Sequence, residues 1–193
     1  MNAEDARAWV RRFEERTRRH RDELTDLDRR CGDGDFGTNA CAALARAVAR
    51  LDDAADPFAV LSDAFLNTGG TSGPLFGVWF RGFAGAWSTV ELAAGAERGL
   101  ASVRRFGGAD VGDKTMVDAI APAVAALRAA AEQDKGLADA LRDAARAARS
   151  GALATAGLTA RRGRASYVGA AGEGVMDPGA LAVALFFESA GAD

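Results

Sequence analysis

The segment from Ala3 to Leu27 reads AEDARAWVRRFEERTRRHRDELTDL, and its apolar residues recur at the spacing of an amphipathic helix. Arginine and glutamate occupy most of the positions between them, and Asn2 is suited to cap the amino end. We expect this first helix to end near His20. The apolar residues that define the pattern are Ala6, Trp9, Val10, Phe13, Leu24 and Leu27.

The rest of the chain repeats this helical pattern, and no segment shows the alternation of β-branched residues that is typical of a strand. Alanine, the best helix former, is abundant. We therefore predict an all-α fold of about eight helices, with residues 1–193 forming a single domain. The further predicted helices are Thr38 to Leu51, Pro57 to Leu66, Leu92 to Phe106, Met116 to Gln133, Leu137 to Thr155, and one from near Asp177 through Phe186.

The composition excludes several classes of protein. The 193 residues carry 24 basic and 27 acidic side chains, so nucleic acid is not an expected partner. No apolar run approaches the roughly 20 residues of a membrane span, and the acidic amino terminus is unlike a signal peptide, so we expect a cytoplasmic protein without a membrane partner. Cys31 and Cys41 are expected to be reduced thiols. His20, the sole histidine, lies in a charged helical stretch and is expected to be a solvated surface side chain, which argues against Ser-His-Asp triads and His/Cys metal sites.

Glycine-rich segments interrupt the helices at four places. They are Gly32–Gly37, Gly69–Gly73, Gly107–Gly108 and Gly172–Gly179. Glycine allows a phosphate to approach the backbone, and the first turn of a helix offers unpaired N–H groups and partial positive charge. Each segment alone could be an ordinary loop. Together they favour a single anion-binding site built from several loops.

Three aspartates, Asp28, Asp33 and Asp35, lie within eight residues of one another. Converging carboxylates repel unless a cation lies among them, and Mg²⁺ prefers such oxygen ligands. A solvated acidic loop is the alternative. An EF-hand that began at Asp33 would need a glutamate where Leu44 stands, so we exclude it.

If the bound anion is a nucleotide such as ADP, its charge makes a metal at this site necessary. Three aspartates and the roughly three negative charges of ADP sum to about −6, and two Mg²⁺ would lower this to about −2. Metal and nucleotide should therefore bind together. The sequence lacks a Walker A motif, so Thr71 and Ser72 are the candidates to hold phosphate, with helix capping as their alternative role.

Five segments together resemble the L subunit of dihydroxyacetone kinase, and they occur in the order found in that family. They are LDRRCGDGDFGTN at Leu27–Asn39, GGTSGPLFG at Gly69–Gly77, VGDKTM at Val111–Met116, RRGRASY at Arg161–Tyr167 and DPGA at Asp177–Ala180. The resemblance implies a barrel of eight amphipathic antiparallel helices that binds ADP or ATP and two Mg²⁺ at one end.

The resemblance also implies roles for individual residues. Asp28, Asp33 and Asp35 would bind Mg²⁺. The phosphates would contact Phe36, Gly37, Thr38, Asn39, Thr71 and Ser72. Adenine and ribose would contact Gly107 and Met116. The site would be closed by Arg164, Asp177, Pro178 and Gly179. Arginine suits this role because its guanidinium group forms paired hydrogen bonds with phosphate oxygens.

The implied partner is a K subunit, which holds dihydroxyacetone on a histidine that this chain lacks. The phosphoryl donor is either exchangeable ATP or a phosphotransferase-system protein that recharges bound ADP, and a homodimer is compatible with the sequence. Phe36 departs from the family, which usually has histidine there, and phenylalanine cannot donate a hydrogen bond from its side chain. The alternatives to a dihydroxyacetone kinase subunit are therefore a non-catalytic nucleotide-binding regulatory module and a divergent paralogue for another ketose.

Overall fold

The computed structural model describes residues 1–163, 166 and 172–191. The described residues form nine α-helices and a short 3₁₀ turn, which confirms the predicted all-α class. The first predicted segment divides at His20, whose backbone N–H closes α1 on Arg16 and Thr17. The helices are α1 (Ala3–Arg19), α2 (Arg21–Cys31), α3 (Phe36–Val48), α4 (Pro57–Leu66), α5 (Ser72–Arg81), α6 (Thr89–Gly107), α7 (Val117–Glu132), α8 (Leu137–Ala154) and α9 (Pro178–Glu188), and the 3₁₀ turn is Thr155–Gly157.

Helices α2 to α9 pack as a closed ring of eight. Each helix contacts the next one in sequence, and α9 closes the ring by packing against α2. The directions alternate, because the carboxyl ends of α2 and α6 lie beside the amino ends of α3, α5, α7 and α9 around one cavity. This arrangement agrees with the predicted barrel of antiparallel helices.

Helix α1 lies across the end of the ring that is remote from this cavity. The amino group of Met1 donates to the carbonyl of Trp87, between α5 and α6, over 2.9 Å. Arg12 donates to the carbonyls of Ser189 and Ala190, which follow α9, over 2.8 and 2.9 Å. α1 therefore covers one end and leaves the other open. In the part of the chain that the structure describes, no helix has the length and apolarity needed to cross a membrane.

Aromatic rings fill the middle of the ring of helices. Phe186 of α9 is fully buried, and α9 is apolar on nearly every side because its neighbours enclose it. The rings that lie 4.6 to 6.3 Å from Phe186, between centroids, belong to Trp9, Phe13, Phe58, Trp79, Phe80, Phe83 and Phe187. The core is thus anchored on the last helix.

Helices α5 and α6 approach each other closely where glycines face one another. A Cβ atom added at Gly82, which follows α5, would lie 2.3 Å from the carbonyl oxygen of Gly95. A Cβ atom added at Gly95 would lie equally close to the Gly82 carbonyl oxygen. Because both clashes are with backbone, alanine at Gly82 should force the helices apart and destabilise the fold.

Candidate functional site

A cavity of about 270 Å³ opens at the end of the ring that α1 leaves uncovered. It is lined by residues from the α2–α3, α4–α5, α6–α7 and α8–α9 connections, so the structure brings all four glycine-rich segments to one place. This volume approaches the roughly 300 to 1,000 Å³ of typical small-molecule sites. Its lining combines acidic groups, helix amino ends and an apolar wall.

The three predicted metal ligands meet at one side of the cavity. Asp28, Asp33 and Asp35 each offer a carboxylate oxygen, and these oxygens lie within 4.8 Å of one another. Asp28 is half-buried at the end of α2, whereas Asp33 and Asp35 are exposed. Such a set of oxygen donors, partly open to water, fits Mg²⁺, which retains water or phosphate oxygens beside its carboxylate ligands.

Local backbone geometry explains why this loop carries glycines. The backbone N–H of Phe36 donates to Asp28 Oδ2 over 3.0 Å, which folds the loop back onto α2. A Cβ atom at Gly32 would lie only 2.3 Å from Asp28 Oδ1. Gly34 has a φ of +77°, a conformation that other residues rarely adopt. The two glycines therefore allow the aspartates to converge.

Helix amino ends form the next part of the wall. Asp35 precedes α3 and Thr71 precedes α5, and within the described residues neither side chain accepts a capping hydrogen bond from its helix. By contrast, α4 and α6, which begin at the remote end, are capped by the side chains of Asp56 and Ser88. Apart from the Phe36 N–H, which Asp28 accepts, the first turns of α3 and α5 thus keep N–H groups for an anion. This geometry disfavours the alternative that Thr71 serves as an ordinary cap.

Most of the residues predicted to contact the nucleotide line this cavity. Those that do are Phe36, Thr71, Ser72, Gly107, Met116, Asp177, Pro178 and Gly179. Gly37, Thr38 and Asn39 lie elsewhere on α3. Gly37 is packed against α2, Thr38 is exposed, and Asn39 borders a separate void of about 10 Å³. Any contact of Gly37 with phosphate would thus come from its backbone N–H group. Arg164 lies outside the described residues.

Two basic residues without a predicted binding role also line the cavity. Lys114 belongs to the quoted VGDKTM segment, and Arg162 belongs to the quoted RRGRASY segment. The Arg162 Nε donates to Asp113 Oδ2 over 3.4 Å, which ties the α6–α7 and α8–α9 connections together. Clustered arginines in a glycine-containing segment were the available signal, but the pattern does not tell which arginine faces the ligand.

Asp177 caps α9 at the cavity wall. Its Oδ1 accepts the backbone N–H of Ala180 over 2.7 Å, which lowers its pKa, but burial and the nearby carboxylates of Asp118 and Asp28 raise the pKa to about 7. Burial, with the charges of Asp177 and Asp28, also raises the pKa of the Cys31 thiol to about 11. Burial is the main cause of both pKa shifts, and the neighbouring carboxylates add to it, so a bound cation would favour the charged form of Asp177. Both cysteines are free, as expected.

The remaining wall is apolar and suits a flat ring system. It includes buried Phe76 and Val103, and Phe106, which is 62% exposed at the mouth. Aromatic and aliphatic side chains of this kind enclose the apolar faces of ligands, while a few polar groups orient them. The cavity can thus accept a molecule with an anionic end and a planar apolar end.

Comparisons with known proteins identify relatives of the chain. The model of the DAK2 domain matches residues 30–192. The ADP-binding subunit of the PEP-dependent dihydroxyacetone kinase 1 of Listeria innocua is 34% identical over an alignment of 197 positions, and this alignment covers 94% of this chain and 91% of the relative. The ADP-binding subunit of the PEP-dependent dihydroxyacetone kinase of Escherichia coli is 35% identical over 177 residues, which cover 86% of this chain and 84% of the relative.

A solved structure is also similar. The crystal structure of the dihydroxyacetone kinase from C. freundii, in complex with AMP-PNP and Mg²⁺, superposes with a TM-score of 0.71 at 30% identity. The match covers 98% of this chain but only 33% of that longer chain. The similarity therefore concerns one part of the C. freundii enzyme.

Proposed function

Because this chain belongs to the DAK2 domain family, we propose that it is the nucleotide-binding subunit of a kinase for dihydroxyacetone or a related hydroxyketone. It would hold ADP or ATP with two Mg²⁺ in the cavity and deliver a phosphoryl group to a substrate on a separate K subunit. The relatives are ADP-binding subunits of PEP-dependent kinases, which favours bound ADP that is recharged through a PEP-dependent donor, with a phosphotransferase-system protein as the candidate. The observation that carries the proposal is the meeting of three carboxylates and uncapped helix amino ends in one cavity.

Different groups in the cavity would bind different parts of the Mg-nucleotide. The aspartates would orient bound Mg²⁺, which would supply positive charge between the carboxylates and the phosphate oxygens. The amino ends of α3 and α5 would donate backbone N–H groups to the phosphates. The apolar wall would receive the base. Positioning and electrostatic stabilisation are the main contributions that a protein makes to phosphoryl transfer.

The location of the only histidine agrees with a substrate held on another subunit. His20 joins α1 to α2 and does not line the cavity, and its ring Nδ1 lies 2.8 Å from the Arg16 carbonyl oxygen. The cavity lining that the structure describes therefore offers no histidine for a covalent adduct. A hydroxyketone would therefore have to reach the phosphate from a partner that faces the open end.

The first prediction concerns heat stability. Mg-ADP at about 100 times its Kd should raise the free energy of unfolding by roughly 2.7 kcal/mol, because it binds only the folded state. ADP with EDTA should raise it far less, since the carboxylates and phosphates would then repel each other. Thermal unfolding followed by circular dichroism measures both. An equal shift with and without Mg²⁺ would contradict the proposed metal–nucleotide site.

The second prediction concerns Phe36. Its ring is buried and lies 5.9 Å from that of Phe76, and its backbone N–H binds Asp28. The position thus supports the acidic loop through its main chain. We expect the wild type to phosphorylate a hydroxyketone when it is combined with a K subunit and a phosphoryl donor. Phe36→His should preserve nucleotide binding and should maintain or raise turnover. The rise should be at most about a hundredfold, which is the effect of one new charged hydrogen bond that forms in the transition state.

Turnover and binding measured on the same preparations separate the alternatives. Phe36→Leu is the control, because it keeps an apolar side chain without a donor. A wild type that binds Mg-ADP but phosphorylates no hydroxyketone with any K subunit would favour the non-catalytic nucleotide-binding module. Activity with another ketose but not dihydroxyacetone would favour the divergent paralogue.

A further inference from the structure

Lys114 lines the cavity, yet its ammonium group is already occupied. The side chain is buried, and Nζ donates to the carbonyl oxygens of Thr155, Leu158 and Gly172 over 2.9, 3.0 and 3.0 Å. A lysine ammonium has three N–H donors. All three are therefore used by backbone acceptors, and binding a phosphate would require at least one of these bonds to break.

The turn that carries Lys114 is built to direct this side chain inward. Lys114 has a φ of +61°, a strained conformation for a residue other than glycine. The carboxylate of Asp118 holds the turn on both sides of Lys114, because it accepts the backbone N–H groups of Gly112 and Thr115 over 2.5 and 2.8 Å. Such strain persists where the surrounding contacts fix the conformation. Here those contacts place the ammonium group of Lys114 beneath the cavity wall.

Thr155 connects Lys114 to the amino end of α9. Its carbonyl accepts from Lys114, and its hydroxyl oxygen accepts the backbone N–H of Asp177 over 2.8 Å. Asp177 in turn caps α9 by accepting the N–H of Ala180. A continuous series of hydrogen bonds thus runs from Lys114 to Asp177 and the first turn of α9, which line the cavity.

We propose that Lys114 is a positioning residue for the nucleotide: it fixes the amino end of α9 through Thr155 and does not itself bind phosphate. The inference rests on the proposed function, since it concerns the same cavity. It assigns to this lysine a role unlike that of a Walker A lysine, which contacts the phosphates directly. The wall at Asp177–Gly179 should loosen when the ammonium is removed.

The test is the rate at which a fluorescent ADP analogue with Mg²⁺ is released when it is displaced by excess ADP. Lys114→Met keeps an apolar stem but removes the three donors, and should accelerate release roughly tenfold to a hundredfold. Thr155→Val keeps the carbonyl but removes the acceptor for the Asp177 N–H, and should accelerate release by a smaller factor. The double variant should release the analogue more slowly than the product of the two single-variant accelerations predicts, because both substitutions interrupt the same series of hydrogen bonds.

Two controls separate positioning from general destabilisation and from phosphate binding. Gly82→Ala destabilises the fold at the remote end and should leave the release rate within about twofold of wild type. For Lys114→Met, the loss of affinity should be similar for Mg-ADP and Mg-ATP. A loss for Mg-ATP about tenfold greater than for Mg-ADP would identify Lys114 as a phosphate ligand and overturn the inference.

The remaining outcomes are also decisive. If the wild type binds Mg-ADP, and Lys114→Met and Thr155→Val both release the fluorescent analogue at the wild-type rate, the inference is overturned. The proposed function is not affected by that outcome. If Lys114→Met does not fold, Thr155→Val decides, since faster release supports the inference and unchanged release overturns it. A wild type that binds no Mg-ADP overturns the proposed function and this inference with it.

Discussion

Replacing Asp33 or Asp35 by asparagine is expected to raise the Kd for Mg-ADP at least about a hundredfold, because loss of residues that only support metal ligands already costs about 10- to 100-fold in affinity. Both side chains are exposed at the loop before α3 and contribute little to packing. The helical content should therefore be unchanged. Calorimetry measures the affinity, and circular dichroism verifies the fold.

Asp26→Asn is the matched control for these variants. Asp26 is exposed on α2, in the same acidic stretch, but it pairs with Arg29 over 3.9 Å and does not line the cavity. The same loss of charge there should change the Kd by no more than about twofold, because exposed ion pairs contribute little. Undiminished affinity in both Asp33→Asn and Asp35→Asn would refute the assignment of this loop as the metal site.

Phe186→Ala is expected to lower the free energy of unfolding by about 3–5 kcal/mol. The ring is fully buried on α9 and contacts aromatic side chains from α1, α4, α5 and the residues that follow α5. Its removal leaves a cavity that these large, interlocked rings cannot fill without leaving their own contacts. Urea unfolding, followed by tryptophan fluorescence, measures the loss.

Phe106→Ala serves as the control because the same change is made on a ring that is 62% exposed at the mouth of the cavity. It should change the free energy of unfolding by no more than about 0.5 kcal/mol. Equal losses for Phe186→Ala and Phe106→Ala would show that the aromatic centre of the ring is not the main source of stability.

Features encoded by nearby residues could be predicted from the sequence. Asn2 caps α1 as expected, its side chain accepting the backbone N–H of Asp5 over 2.9 Å, and Pro57 begins α4 after Asp56. The acidic loop was also identifiable, since its three aspartates and the glycines that bend it lie close together in the chain. Helix periodicity and capping act over one or two turns, so they leave a signal in a short window.

Features that depend on distant partners could not be predicted. The buried role of Lys114 leaves no local signal, because its acceptors at Thr155 and Gly172 lie more than 40 positions away. The close approach of Gly82 and Gly95 depends on how two helices pack, which a short window of sequence does not show. The position of α1 across the remote end is likewise set by contacts with Trp87 and Ser189. Local sequence patterns do not specify which helix faces pack against each other.

The closure of the ring between α2 and α9 determines when the site can exist during synthesis. Asp28 and Asp177 line the same cavity but lie 149 positions apart in the chain. A ribosome must therefore release α9 before the acidic loop can meet its opposite wall. Until then the emerging helices have neither Phe186 to fill their centre nor a complete pocket, so the proposed nucleotide would not be expected to stabilise a partial chain. Binding of that nucleotide would then require that α9 has docked.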